Sequence, residues 1–328
     1  MRRARAFWHR SGKNSAIVEE DLNEPGRGWC EIATLFSGIS PGTEMLVAQG
    51  LVPEDLREEM ACPYMGGQFP FPVKYGYSLV GEIVRGAKDL VGKVVHVHHP
   101  HQDWCVVRRS DTFVIPDGVP PRRAVLASNM ETAVNAIWDS RVSVGDRALV
   151  VGFGAVGSLV ARLLTLIAEV RAQMVDIDPA KVDLARTMGF NAQVPEDVHP
   201  GFDVAFHTSG NGEGLQVAID KTDFEGRVVE VSWYGSRSVA LRLGGTFHSQ
   251  RKRIISSQVS VIPPDRHRRW DTRRRKKLVF SLLERAEFDA HITDSVPFVE
   301  LPKIFRDLRG ASQVGLGYAV WYDQQEGV

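Results

Sequence analysis

The pattern of hydrophobic and polar positions changes partway along the chain. At first, short apolar or alternating runs such as Ala4–Trp8, Trp29–Phe36 and Lys93–His98 recur between glycine and proline turns. Alternation of this kind between dense turn signals is typical of short β-strands. Residues 1–128 are therefore predicted to form a β-rich unit, with Leu51–Lys74 as a long loop of the kind that often carries function.

Beyond Ser128, helical patterns alternate with apolar runs. The predicted helices are Glu131–Ser140, Pro179–Met188 and Gly214–Lys221, and the predicted strands include Ala148–Val151, Phe202–Phe206, Arg227–Trp233 and Arg253–Val261. Strands that alternate with helices indicate a parallel sheet with right-handed crossovers. We therefore predict an α/β domain over residues 129–262. The remaining residues, 263–328, are too few to stand alone and are expected to complete the first domain.

One stretch of the α/β region has a specific pattern. Apolar residues run into Gly152-Phe153-Gly154-Ala155-Val156-Gly157, a helical pattern follows, and Asp176 closes the next apolar run. This is the dinucleotide-binding fingerprint in its strand–turn–helix–strand setting. Gly152 allows the tight turn, Gly154 lets a pyrophosphate approach, and Gly157 lets the helix pack closely on the strand.

The same stretch predicts which cofactor binds. The helix N-terminus at Ala155 and Val156 offers N–H groups to the phosphates. Asp176 can accept hydrogen bonds from the adenosine ribose and would repel a 2′-phosphate, so NAD(H) is favoured over NADP(H). Ligands bind at the carboxyl ends of parallel strands, which adds Ser209 and Gly210 to the candidate cofactor residues. A membrane span over Ala148–Ala161 is the alternative, but three glycines and the following Arg162 disfavour it.

Composition narrows the function classes. The 328 residues are 43% hydrophobic and 24% charged, and 40 basic residues balance 40 acidic ones. No global charge therefore indicates a nucleic-acid or membrane partner. Cys30, Cys62 and Cys105 form no CxxC pair, which predicts reduced thiols in a cytoplasmic protein. The basic N-terminus lacks the apolar run of a signal peptide.

Four landmarks, in their order and spacing, resemble the medium-chain dehydrogenase/reductase superfamily, the relatives of zinc-type alcohol dehydrogenases. They are SGISPGTE at 37–44, GYSLVG at 76–81, VGD at 144–146 and the glycine fingerprint. SGISPGTE and the SWYG at 232–235 are similar to the branch that contains bacteriochlorophyllide hydroxyethyl dehydrogenase and unassigned bacterial "zinc-binding dehydrogenases". The resemblance implies a GroES-like catalytic domain, split into 1–128 and 263–328, and a Rossmann domain. It also implies an NAD(P)-dependent enzyme and a homodimer that pairs through Arg253–Val261.

The chain departs from that family at its metal ligands. Zinc-dependent members have a cysteine where this chain has Ser40 or Pro41, and their GHExxG motif has become Gly76-Tyr77-Ser78. The third ligand should lie just before Thr132, where the chain has Ser128, Asn129 and Glu131, and the four-cysteine lobe is missing. Three protein ligands are needed for a catalytic zinc. No metal is therefore expected.

Two clusters leave alternatives open. His96, His98, His99 and His101 could hold a metal through two imidazoles on one face, although a histidine-rich strand end is the favoured interpretation. The basic run Arg266–Lys277 could recognise an anionic substrate, with Trp270 and Arg273 or Arg274 on one face, or it could be a solvated helix face. Glu44 and Glu131 are expected to be solvated or paired.

Without zinc, the reacting oxygen needs a hydrogen-bond donor. The resemblance places Tyr77 at a ligand position, as proton donor, carbonyl anchor or simple space filler. Ser40 is a further candidate, Thr43 corresponds to the family's proton-relaying hydroxyl, and Thr132 to a residue beside the nicotinamide. The leading hypothesis is a zinc-independent, NAD(H)-dependent oxidoreductase acting on an alcohol or carbonyl of a small, secondary-metabolite or anionic substrate. The alternatives are an NADPH-dependent quinone or enone reductase and a nucleotide-binding homologue without turnover.

Overall fold

The computed structural model describes residues 2–310 and 315–323, and its contacts divide the chain into two compact units. Unit 1 comprises Met1–Ser128 and Phe280–Val328, and unit 2 comprises Asn129–Val279. The strands, in chain order, are β1 Arg3–Ser11, β2 Asn14–Asp21, β3 Trp29–Ile39, β4 Gly66–Gly67, β5 Val73–Lys74, β6 Leu79–Arg85, β7 Val94–Val97, β8 Trp104–Arg108, β9 Phe113–Val114, β10 Arg147–Val151, β11 Arg171–Val175, β12 Asn191–Gln193, β13 Phe202–His207, β14 Thr222–Glu230, β15 Arg253–Ser256, β16 Asp294–Pro297 and β17 Tyr318–Trp321.

The α-helices are shorter and fewer in unit 1 than in unit 2. They are α1 Pro41–Ala48, α2 Pro121–Ala124, α3 Ala127–Ser140, α4 Ala155–Leu164, α5 Pro179–Thr187, α6 Gly212–Lys221, α7 Thr246–Ser249, α8 Thr272–Leu283 and α9 Leu301–Leu308. Within the described residues, no helix is both long and apolar enough to span a bilayer.

Unit 1 is built on two sheets. A four-stranded sheet has the order β2-β1-β5-β4, and a seven-stranded sheet has the order β16-β17-β3-β6-β7-β9, with β8 paired to β3. The C-terminal strand β17 lies antiparallel to β3, so the returning segment becomes part of this sheet. Phe7, Ile39 and Phe305 are among the buried residues of one apolar cluster. Burying a side chain of this size contributes about 1.5–3 kcal/mol.

Unit 2 is a six-stranded parallel sheet with the order β12-β11-β10-β13-β14-β15. Its central strand β10 buries Ala148–Val151 without alternation, as expected for a strand covered on both faces. The order reverses between β10 and β13, which is where doubly wound sheets bind dinucleotides. The predicted α/β class is confirmed.

Several predicted bounds differ from the structure. The strand predicted over Arg227–Trp233 ends at Glu230, and the edge strand predicted over Arg253–Val261 ends at Ser256. The sequence also placed the return to the first domain at residue 263, whereas residues up to Val279 stay with unit 2.

The physical reason for that later boundary lies in α8. Lys276 Nζ is 2.6 Å from Glu131 Oε2, and the guanidinium of Arg275 lies 3.4 Å from Glu131 Oε1 and donates to the Val259 carbonyl at 2.7 Å. All three charged side chains are buried. Because a buried charge is costly unless it is paired, these contacts tie the segment to unit 2.

Candidate active site

The glycine turn after β10 has the geometry that its sequence predicts. Gly152 has φ +100°, and a Cβ there would lie 2.7 Å from the backbone of Ser209. A Cβ on Gly157 would lie 2.0 Å from the Gly152 carbonyl oxygen. A Cβ on Gly154, by contrast, would meet no described atom within 4 Å. Two of the glycines are thus required by close packing, and the third leaves open space where a phosphate can approach the backbone.

The helix that follows differs from the next two helices of unit 2 at its N-terminus. The cap residues Asp178 of α5 and Asn211 of α6 accept hydrogen bonds from Ala180 N and Gly214 N. The cap of α4 is Gly154, which has no side chain to bond the first turn. The N-terminus of α4, at Ala155 and Val156, therefore keeps its backbone donors for an anion.

Asp176 follows β11 and is held next to the glycine turn. Its Oδ2 accepts from Phe153 N at 2.7 Å, and its Oδ1 accepts from Asp178 N at 3.0 Å. A carboxylate oxygen can accept more than one hydrogen bond, so both oxygens keep capacity for ligand hydroxyls. The residues present therefore fit a dinucleotide.

The predicted cofactor residues Ser209 and Gly210 lie just beyond β13, beside His207 and Glu230, which are not among the predicted cofactor residues. His207 Nε2 is 2.6 Å from Ser209 Oγ, and its Nδ1 is 2.9 Å from both carboxyl oxygens of Glu230. Gly210 N donates to Ser232 Oγ at 3.1 Å. The available signal was a histidine and a glutamate at the ends of adjacent strands, where they pair in register.

Thr132 lies half-buried on α3, one residue after the Glu131 that binds Lys276 and Arg275. Burial lowers the pKa of Lys276, and the adjacent Glu131 carboxylate opposes that shift. Glu131 therefore forms ion pairs with Lys276 and Arg275.

Unit 1 brings the three candidate catalytic residues together. Ser40 is the N-cap residue of α1, Thr43 lies in the first turn of that helix, and Tyr77 lies two residues before β6. The hydroxyls of Ser40 and Thr43 hydrogen-bond the Tyr77 phenol. Burial raises the pKa of Tyr77, and the nearby Glu44 carboxylate raises it further, while the two hydroxyls lower it. The phenol therefore remains protonated at neutral pH, beside two groups that can stabilise its anion.

Glu44 belongs to a buried chain behind this cluster. Its Oε1 accepts from Ser40 N at 2.7 Å, and its Oε2 is 2.9 Å from His101 Nε2. His101 Nδ1 is 2.7 Å from Ser37 Oγ, which is 2.8 Å from the Tyr322 hydroxyl. Each of these side chains is buried.

The positions that correspond to zinc ligands present hydroxyl groups. Ser78 Oγ donates to the Val125 carbonyl at 2.7 Å, and Ser128 Oγ donates to the Tyr77 carbonyl at 2.8 Å. Zinc sites use thiolate, imidazole and carboxylate ligands. Over residues 2–310 and 315–323, no group of three or more such side chains could hold a metal ion. The hydroxyls of Ser78 and Ser128 are not among these ligands.

The histidine cluster separates among different partners. The rings of His96 and His98 meet edge to face at 5.5 Å, and His96 Nε2 is 3.2 Å from Ser78 Oγ. His99 stacks on Tyr64 at 5.3 Å, and His101 belongs to the Glu44 chain. These contacts agree with a histidine-rich strand end.

The basic run divides between the interior and the surface. Arg275 and Lys276 are buried on Glu131, whereas Arg273, Arg274 and Lys277 are exposed. The Arg274 guanidinium lies 4.1 Å from the centre of the Trp270 ring, but Trp270 precedes α8, so the two residues do not share a helix face as predicted.

The long loop of unit 1 also borders a cavity. Tyr64 and Lys74 line about 330 Å³ of space together with His99 and Trp29. Among the described residues, its lining does not include Ser40, Thr43 or Tyr77.

Comparison with known proteins finds similar dehydrogenases. No family model matches the chain. D-guloside 3-dehydrogenase of Escherichia coli K12 is 24% identical over 300 residues, which cover 82% of this chain and 85% of that protein. (R,R)-butanediol dehydrogenase of Bacillus subtilis is 27% identical over 271 residues, which cover 69% of this chain and 76% of that protein. A putative zinc-binding dehydrogenase of Sinorhizobium meliloti, bound to NADP, superposes with a TM-score of 0.76 at 17% identity, covering 98% of this chain and 100% of that one.

The chain is similar, over most of its length, to members of the medium-chain dehydrogenase/reductase superfamily. The resemblance to zinc-type alcohol dehydrogenases is confirmed, as is the fold of a Rossmann domain with a GroES-like domain. Its relatives are named dehydrogenases, which supports an NAD(P)-dependent oxidoreductase.

Proposed function

We propose that this dehydrogenase/reductase is zinc-independent, prefers NAD(H), and transfers hydride to or from an alcohol or carbonyl carbon of a small molecule. The observation that supports it best is the Tyr77 phenol, bonded by the hydroxyls of Ser40 and Thr43 at a position where zinc-dependent relatives hold their metal. A bound nicotinamide supplies or accepts the hydride. The chain's own residues then have to bind the cofactor and to donate or accept one proton at the substrate oxygen.

Tyr77 donates or accepts that proton at its phenolic oxygen. When a carbonyl is reduced, its oxygen gains negative charge and takes the proton from the phenol. Ser40 and Thr43 then donate hydrogen bonds to the phenolate, which offsets the destabilisation that burial and Glu44 impose on that anion. In the oxidation direction, the same phenolate accepts the proton of the alcohol. No step requires a Lewis acid.

The preference for NAD(H) rests on Asp176. Its oxygens are fixed beside the glycine turn by Phe153 N and Asp178 N, where they can accept from ribose hydroxyls. A 2′-phosphate would bring like charge against this carboxylate, which costs binding energy. The S. meliloti neighbour binds NADP, so the preference needs a direct measurement.

Fluorescence titration of the purified protein tests the cofactor. We expect NADH to bind about tenfold or more tightly than NADPH, since 1.4 kcal/mol corresponds to tenfold in affinity. Asp176→Ser should reduce that ratio. Equal dissociation constants in the wild type would support the NADPH-dependent quinone or enone reductase instead, and absence of binding to either nucleotide would overturn the proposal.

Metal analysis and an activity panel test the chemistry. The panel contains simple alcohols and carbonyls, together with a guloside and 2,3-butanediol, because two relatives are named for such substrates. Turnover should survive dialysis against a chelator. Loss of turnover that added Zn²⁺ restores would contradict zinc independence, and cofactor binding without turnover on any carbonyl would favour the non-catalytic homologue.

Further expectations concern assembly and substrate charge. The strand β15 lies at the edge of the parallel sheet and pairs with β14 alone within that sheet. We expect it to pair with the same strand of a second copy to form a homodimer, which light scattering can check. The exposed arginines of the basic run would favour an anionic substrate, so the panel includes hydroxy acids.

A further inference from the structure

A short chain of hydrogen bonds links the ends of two neighbouring strands in unit 2. His207 ends β13 and Glu230 ends β14, and the two residues are paired across these parallel strands. The imidazole of His207 is fully buried, and its Nε2 lies 2.6 Å from Oγ of the half-buried Ser209. The chain therefore runs from a carboxylate, through an imidazole, to a hydroxyl near the surface.

The partners of Glu230 fix the direction of these hydrogen bonds. Its Oε1 accepts from Ser232 N at 2.7 Å, and its Oε2 accepts from the Tyr234 hydroxyl at 2.9 Å. A carboxylate only accepts, so the hydrogen between Glu230 and His207 lies on Nδ1. In a neutral imidazole the other nitrogen is then an acceptor. Ser209 must therefore donate its single hydrogen to Nε2, and only its lone pairs remain for a further partner.

Two glycines make room for this serine. A Cβ on Gly152 would lie 2.7 Å from Ser209 Cα, and a Cβ on Gly214 would lie 2.1 Å from Ser209 Oγ. Gly152 is the first glycine of the dinucleotide fingerprint, so Ser209 borders the cofactor site. A ligand that meets its hydroxyl must present a donor.

We propose that Glu230 and His207 are positioning residues that hold the Ser209 hydroxyl as a hydrogen-bond acceptor for a donor group of the bound dinucleotide. The proposal rests on the proposed function, since it takes the ligand to be NAD(H). Three kinds of uncharged donor in that ligand share the required chemistry: the N–H of the nicotinamide carboxamide, a ribose hydroxyl and the amino group of adenine. A ligand without such a donor loses one hydrogen bond at this position.

The direction of the chain can be measured without any ligand. At about pH 8, where an ordinary imidazole is neutral, ¹⁵N NMR should show His207 as the Nδ1–H tautomer. In Glu230→Gln, Ser232 N keeps the amide oxygen, so the amide N–H faces Nδ1 and the hydrogen of His207 should move to Nε2. The Nε2–H tautomer in the wild type, or an unchanged tautomer in Glu230→Gln, would overturn the proposal.

Binding measurements identify the donor. Ser209→Ala should weaken NADH binding about 5- to 10-fold, as expected for one hydrogen bond. The reduced acetylpyridine analogue of NAD lacks the amide N–H. If Ser209→Ala weakens binding of NADH but not of this analogue, the carboxamide is the donor, whereas equal weakening of both assigns a ribose hydroxyl or the adenine amino group.

Ser140→Ala is the matched control. Ser140 is a buried serine of unit 2 that bonds the Ile137 carbonyl at 2.8 Å, so its loss reports the general cost of removing a hydroxyl. Its NADH affinity should equal that of the wild type. Unchanged affinity of Ser209→Ala for both nucleotides would overturn the proposal. A wild-type protein that binds no dinucleotide would instead contradict the proposed function, and the tautomer measurement would still stand.

Discussion

Each unit contains a hydrogen-bonded chain of glutamate, histidine and serine, and the two chains end differently. In unit 1, His101 lies between Glu44 and Ser37, and Ser37 is bonded in turn to the buried Tyr322. In unit 2, His207 lies between Glu230 and Ser209, and Ser209 is only half-buried. The same three residue types thus make one chain with both ends inside the protein and another that ends where a ligand can reach it.

The difference teaches what to expect from each chain. In the chain of unit 1, every side chain has a protein partner. These hydrogen bonds therefore stabilise the fold and hold Ser40 beside Tyr77. In the chain of unit 2, Ser209 Oγ bonds His207 and has no second partner among the described residues, so this hydroxyl can also bind a ligand. Breaking either buried network should destabilise the protein, but only a break in the chain of unit 2 should change the affinity for NADH.

His101→Ala should have the largest effect on stability. It leaves the buried Glu44 carboxylate and Ser37 without their imidazole partner, and stranding a charged buried group costs at least about 3 kcal/mol. Urea unfolding should show that loss, while NADH affinity stays at the wild-type value. For comparison, His207→Ala should weaken NADH binding. The comparison fails if His101→Ala impairs NADH binding and His207→Ala does not.

Tyr77→Phe should mainly affect turnover. It removes the proposed proton donor, and general acid catalysis contributes about 10²-fold or more, so kcat should fall by about that factor. The NADH dissociation constant should not change. Tyr75→Phe is the matched control, because Tyr75 lies two residues away with its ring 6.0 Å from that of Tyr77 and bonds the Met60 carbonyl. Equal kcat values for the two variants would remove Tyr77 from the mechanism.

The cofactor half of the site could be predicted from sequence because its requirements are local. Gly152 needs a positive φ, and Gly157 contacts the carbonyl of a residue in the same turn. Such constraints act through the backbone over a few residues, so they leave a readable pattern. The parallel sheet follows for a similar reason, since continuous apolar strands separated by helices have few other arrangements.

The polar chains could not be predicted in this way. Glu44 and His101 are 57 residues apart, and their contact depends on packing within unit 1. His207 and Glu230 are 23 residues apart and meet only because β13 and β14 pair in a particular register. The basic run shows the same limit, because nothing in its sequence distinguishes the buried Lys276 from the exposed Lys277.

Acid unfolding tests the contribution of a buried neutral histidine, His99. His99 is buried and bonds the Pro100 carbonyl, and burial lowers its pKa to about 3 from 6.5. Between these two values the unfolded chain binds a proton that the folded protein excludes. The stability that the neutral imidazole contributes is therefore complete above about pH 6.5 and falls towards pH 3, by up to about 1.4 kcal/mol per pH unit.

His99→Phe keeps an aromatic ring against Tyr64 and removes the group that binds this proton in the unfolded chain. Urea unfolding between about pH 6.5 and pH 4 should therefore show a shallower loss of stability than in the wild type. His9, whose pKa is also lowered to about 3 by burial and by the nearby Arg309 charge, should preserve part of the slope. An acid dependence identical to that of the wild type would show that His99 takes up its proton without unfolding.

Tyr234→Phe should have the smallest effect and tests how the open chain is held. It removes one of three donors to Glu230, and His207 Nδ1 and Ser232 N remain. The free energy of unfolding should fall by about 1 kcal/mol, the usual net value of one hydrogen bond. NADH affinity should stay within about twofold of the wild type, because the direction of the chain does not depend on the tyrosine. A loss of affinity as large as that of Ser209→Ala would mean that Tyr234, rather than His207, determines how the serine meets its ligand.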